Sequence, residues 1–159
     1  MDDPVAITNW RRIDARLTTS GQPDEAQLAA IRALGVEHVV NLALHEHPRA
    51  LPDERAAVTA LGMAYHHIPV DFDAPTEADF AKFCAVLAEA GDRPLHVHCI
   101  VNARVTAFVT RYFREVQGMA DAREQARLDS VWRPGGVWAQ FLGDEESVGE
   151  PHRYAGRDY

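Results

Sequence analysis

Apolar positions alternate between helical and strand spacing along most of the chain. Leu28, Ile31 and Leu34 recur at helical intervals after Asp24 and Glu25, which predicts a helix over 24–34 closed by Gly35. Val36–Leu42, with Val39 and Val40, reads as a strand. The alternation then repeats: a helix over Asp53–Leu61 ended by Gly62, and a strand over Ala64–Val70. After the loop Asp71–Pro75, Thr76 stands three residues before Asp79, close to a capping-box pattern. The helix it opens should reach about Ala90 and bury Phe80, Phe83, Cys84 and Leu87. Gly91–Pro94 is a turn, Leu95–His98 a strand, and a long helix follows from about Ala103 to Val116.

Both ends of the chain read less regularly. Short β-like runs surround Ile7–Trp10 and Arg16–Thr18, followed by the turn residues Ser20-Gly21-Gln22-Pro23. Beyond Gly118 the pattern is helical, over about 121–132 and 136–142, and an acidic, loose tail is expected from Gly143. Strands alternating with helices imply an α/β fold: a central, mostly parallel sheet of about four to five strands, flanked by helices, with a helical C-terminal part. No internal repeat is present. One domain over 1–142 and a flexible tail over 143–159 are expected.

Composition narrows the function classes. The formal charge of −8 disfavours a nucleic-acid footprint but leaves room for a local anion site at a helix end. No apolar stretch is long enough for a membrane span, and the acidic N-terminus lacks a signal-peptide pattern, so a cytoplasmic protein is expected. Two cysteines, Cys84 and Cys99, are too few for a disulfide framework.

The candidate chemistry lies where strand Leu95–His98 gives way to a helix. Cys99 ends the strand, Ile100, Val101, Asn102 and Ala103 form the loop, and Arg104 stands on the first helical turn. Helix N-terminal N–H groups cradle oxyanions and favour a thiolate. A guanidinium matches two phosphoryl oxygens. A cysteine ending a buried strand is ordinarily a small core residue; the arginine at this junction is what points to a site. Pairs such as His45/His47, His66/His67 and His96/His98 lack the spacing of a metal motif, so no metal or cofactor is expected. Cys84 reads as core, and Trp10, Trp132 and Trp138 as core anchors.

His98-Cys99 followed by Arg104 resembles the His-Cys-x5-Arg signature of the cysteine-dependent protein tyrosine and dual-specificity phosphatases. Thr19–Pro23 resembles the Ser-Gly-Gln-Pro segment of the small bacterial dual-specificity-like group. Val39–Leu42, Ile68–Asp73 and Val131–Pro134 with Trp138 resemble further segments of it, in order, over about residues 8–142. The resemblance implies a Cys99 nucleophile, an Arg104 clamp, and Asp71 or Asp73 as general acid, with a slight lean to Asp73. It further implies substrate contacts from the loop residues with His98, Thr106 and Gln22. The loop departs from the pattern by one residue: four residues separate Cys99 from Arg104, Asn102 stands at the usual glycine, and Thr106 stays in register. The implied partner is a phosphorylated protein or small phosphoester, with phosphate or sulfate held in the loop. Two other readings compete: a rhodanese-like sulfurtransferase, whose loop length fits better, and a phosphate-binding module without turnover.

Overall fold

The computed structural model describes residues 2–118 and 130–151. It is an α/β fold with a five-stranded sheet in the order β1-β2-β5-β3-β4. The strands are β1 (Arg11–Arg12), β2 (Leu17–Ser20), β3 (His38–Asn41), β4 (Ala64–His67) and β5 (Leu95–His98). Only β1–β2 is antiparallel. The helices are α1 (Glu25–Ala33), α2 (Glu54–Ala60), α3 (Glu77–Ala90), α4 (Ala103–Glu115) and α5 (Gly136–Leu142), followed by a 3-10 turn over Glu145–Ser147.

The period-two alternation of strands divides the core into two layers. Val40, Leu95, Val97 and Cys99 pack with Phe80, Phe83, Phe108 and Trp138 from α3, α4 and α5. Val39 and Tyr65 pack with Leu28 and Ile31 of α1 and Val58 of α2. Helices therefore cover both faces, and the edge-to-face rings around Phe108 and Trp138 fill one of them.

Strand β5 and the start of α3 form as the sequence predicts, including reciprocal capping between Thr76 and Asp79. Three expectations are corrected. Ile7–Trp10 is turn rather than strand, because Ile7 and Trp10 donate three residues back, to Pro4 and Ile7. The strand expected over 64–70 ends at His67; Pro69 has no N–H for the ladder, although Ile68 and Val70 still donate to Asn41 and Leu42. Cys84 is only half-buried. The helix expected over about 121–132 lies mostly outside the described residues, and Trp132 itself is in no helix.

Candidate active site

β5 lies at the centre of the sheet between β2 and β3, and its carboxyl end opens into the loop before α4. This is the position at which open α/β sheets bind ligands. Cys99, Ile100, Asn102, Ala103 and Arg104 are buried, with Val101 nearly so.

The loop is held by chain segments distant in sequence. Asn102 has φ 72, a left-handed conformation that asparagine tolerates. Its side chain does not cap α4; Nδ2 donates to the Asn9 carbonyl at 2.9 Å and to Thr19 Oγ1 at 3.1 Å. Asn9 Nδ2 in turn donates to the Val101 carbonyl at 2.8 Å. Gln22 N–H donates to the Ile100 carbonyl at 3.0 Å. Gly21 makes this approach possible, since a Cβ there would overlap the Ile100 oxygen. The Ser-Gly-Gln-Pro segment thus acts as a backbone clamp on the cysteine loop.

No acidic residue occupies the first turn of α4, and no side chain caps it. By contrast, α1 and α3 both carry complete capping boxes. An uncapped, buried helix start suits an anion.

Arg104 reaches across to the segment that follows β4. Its Nε donates to the Val70 carbonyl at 3.0 Å, and its guanidinium carbon lies 5.0 Å from the Phe72 ring centroid. The arginine is thus tied to the segment that carries both aspartates. Asp71 and Asp73 are exposed, and Asp71 Oδ1 accepts from Asp73 N–H at 2.8 Å. Asp73 lines an open cavity of about 470 Å³ with Glu77, Arg111 and Phe141. The Thr106 hydroxyl donates to the Ala103 carbonyl and accepts from Trp132 Nε1 at 3.0 Å. The Gln22 side chain turns to Pro23 and Glu54.

His98 is fully buried; its Nδ1 lies 3.1 Å from the Cys99 carbonyl and its Nε2 2.8 Å from Glu54 Oε2. Sequence reasoning missed Glu54, Asn9 and Tyr65. Glu54 is 2% exposed and shares the inward face of α2 with Val58. Reading the helical spacing one turn back from Val58 would have found it. Burial alone would raise the Glu54 pKa, but the charge and hydrogen bond of His98, with Gln22 and Tyr65, hold it below the usual carboxylate range. Burial and the charge of Glu54 push the Tyr65 phenol up. His96 is held well below the usual histidine range by burial; its ring nitrogens meet Thr18 and Ser20 hydroxyls at 2.8 Å.

Comparison with known proteins agrees with this architecture. Residues 5–139 match the family model described as DSP-PTPase phosphatase fused to NAD+ kinase. The beta-lactamase hydrolase-like protein of Agrobacterium fabrum is 36% identical over 91 residues, 55% of this chain. The chain spans only 21% of that relative's length. The crystal structure of a candidate phosphatase (DUF442) from Shewanella putrefaciens CN-32 superposes with a TM-score of 0.81 at 28% identity, over 89% of this chain and 93% of that one. P. aeruginosa TpbA in complex with pTyr gives 0.66 at 21% identity, over 94% and 87%, a likeness of fold.

Proposed function

From the premise that the chain belongs to the DSP-PTPase phosphatase family, we propose that it hydrolyses phosphoric monoesters through a cysteinyl-phosphate intermediate on Cys99. The observation that carries this reading is the buried cysteine at the end of the central strand, beside an uncapped helix start.

In the proposed reaction, Cys99 Sγ attacks phosphorus and the ester oxygen leaves with a proton from Asp73 or Asp71. Water then attacks the phosphocysteine, its proton passing to the same carboxylate, and phosphate departs. Loop N–H groups from Ile100 to Arg104 and the Arg104 guanidinium stabilise the equatorial oxygens. The tie from Arg104 to Val70 supports a coupling between this clamp and the acid loop. It offers a way for an arginine one position early to serve the site. Phosphotyrosine or phosphoserine of a protein, or a small phosphoester, is the proposed substrate class; the neighbour bound to pTyr supports the first.

Aryl phosphate hydrolysis and thiosulfate-to-cyanide sulfur transfer, assayed together, test the reading. Phosphatase activity lost in both Cys99→Ser and Arg104→Ala is expected. Sulfur transfer without phosphatase activity would sink the proposal. Thermal protection by phosphate with neither activity would leave a binding module in its place.

A further inference from the structure

The C-terminal tryptophans take no part in the reaction proposed above, yet one of them reaches the loop that carries both aspartates. Ala74 N–H donates to the Asp71 carbonyl at 3.1 Å and closes a tight turn over 71–74. The turn leaves Asp71 and Asp73 exposed and sends Phe72 inward, 1% exposed. The peptide unit between Phe72 and Asp73 is held at both ends. Its carbonyl accepts from Trp138 Nε1 at 2.7 Å, and its N–H donates to Asp71 Oδ1 at 2.8 Å. A planar peptide fixes those two directions together, so the indole sets the tilt of the unit that orients the Asp71 carboxylate. The Phe72 side chain carries the contacts further. Its ring packs against Trp132 and Trp138 at centroid distances of 5.7 and 5.6 Å, and the Arg104 guanidinium carbon stands 5.0 Å from its centroid. An aromatic face attracts a guanidinium most strongly where water is excluded, and Arg104 is 1% exposed.

We propose that Trp138 is a positioning residue of the site: by fixing the Phe72–Asp73 peptide, it sets where the two aspartates stand and where the Arg104 guanidinium rests. Its kinetic consequence rests on the phosphatase reading above; its effect on oxyanion affinity requires no turnover.

Trp138 can hold this role because its own place is fixed to the helix that bears Arg104. α5 is docked on α4: Phe141 stacks on Phe108 at 4.8 Å, and Arg114 Nη1 donates to the Leu142 carbonyl at 2.6 Å. Trp138 is fully buried, with its ring 6.2 Å from that of Phe108. The contacts therefore close a circuit from α4 to Trp138, from Trp138 to the Phe72 carbonyl, and from the Phe72 ring back to Arg104 on the first turn of α4. A buried indole needs some acceptor; here the acceptor is the backbone of the residue between the two candidate acids. Without the indole N–H, the Phe72 carbonyl loses a buried donor, and the peptide must turn to find another. That rotation moves the Asp71 carboxylate and the ring against Arg104 together.

Trp138→Phe removes the N–H and keeps an aromatic ring in the core. Phe72→Leu keeps the carbonyl and its bond but removes the ring that faces Arg104. Ile31→Val, in the opposite layer of the core, is the control for lost stability alone. Each protein is titrated with inorganic phosphate by calorimetry and assayed on an alkyl and a nitrophenyl phosphate. Both Trp138→Phe and Phe72→Leu should bind phosphate about fivefold more weakly, and Ile31→Val as wild type does. Trp138→Phe should lower kcat about tenfold for the nitrophenyl ester and about a hundredfold for the alkyl one, because a displaced acid is felt most by the poorer leaving group. Phe72→Leu should slow the two esters by similar factors. Wild-type phosphate affinity and leaving-group dependence in a folded Trp138→Phe protein overturn the proposal and leave Trp138 as core packing. If that variant does not fold, Phe72→Leu decides alone, and an unchanged phosphate affinity overturns it. A wild type that binds phosphate without hydrolysing esters defeats the proposed reaction, while the phosphate titrations still judge Trp138. A wild type that does neither overturns both.

Discussion

The two loops that the proposed chemistry needs are built on opposite plans. The β5–α4 loop is buried, and its hydrogen bonds run to Asn9, Thr19 and Gln22, far away in sequence. The β4–α3 loop puts the Asp71 and Asp73 side chains in solvent, on a local Asp71–Asp73 turn and before the Thr76–Asp79 cap, while Phe72 between them is buried and its carbonyl accepts from Trp138 Nε1 at 2.7 Å. Rigid framing suits a nucleophile and its anion cradle, whose geometry must be fixed before substrate arrives. A loop anchored by one buried residue can present solvent-facing carboxylates whose replacement leaves the core behind them intact. Changes in the first loop should therefore cost stability and activity together, and changes of the two exposed aspartates in the second activity alone.

The largest effect should come from the exposed loop. Replacing the true acid, by Asp73→Asn or Asp71→Asn, should lower kcat by about 10²- to 10⁴-fold for an alkyl phosphate and much less for a nitrophenyl ester. Urea midpoints should barely move. A large stability loss in either variant would erase the contrast between the loops. Next is Gly21→Val, whose added side chain meets the Ile100 carbonyl and Thr8. It should destabilise the fold by about 2–3 kcal/mol in urea titrations and lower activity with it. Asn102→Ala loses two donated bonds and strains a left-handed residue, at a cost of about 2 kcal/mol. Asn102→Gly should retain more stability than the alanine variant.

The pH dependence of stability sharpens the same contrast, because His96 lies on the buried side. Its folded pKa is depressed below 6.5, so the unfolded chain takes up a proton that the folded one refuses. Stability is thus fully present above that value and falls as pH drops below it. His66 and His67 shift in the same direction by burial, whereas Glu54 acts only below the usual carboxylate range. The urea midpoint of wild type should drop more than that of His96→Gln between about pH 7.5 and about pH 5.5. Equal drops would assign the slope to the more exposed histidines.

What the sequence made legible follows the same division. Local signals were enough for β5, for α3 with its cap, and for the exposed Asp71–Pro75 loop, because the residues that decide them are neighbours. The cysteine and arginine were visible as a pair, and the family resemblance is upheld by the family match. The partners of the cysteine loop were not visible. Nothing near Glu54 in sequence signals His98, 44 positions away, and Asn9 sits in a stretch whose apolar residues suggested a strand. Apolar runs also overstate strand length: Val36–Leu42 has the pattern of a strand throughout, yet the strand spans His38–Asn41.

The strand that delivers Cys99 has a neighbour on both sides, paired at all four of its residues with β2 and with β3. Its amides should be among the last to exchange with deuterium, since exposing them requires the sheet to come apart. The strand end that carries the nucleophile should not melt ahead of the domain. A population of folded molecules with a frayed nucleophile would not accumulate on warming, and catalytic half-life should track global unfolding. The Asp71–Pro75 segment, which belongs to no strand or helix, should exchange well before that strand.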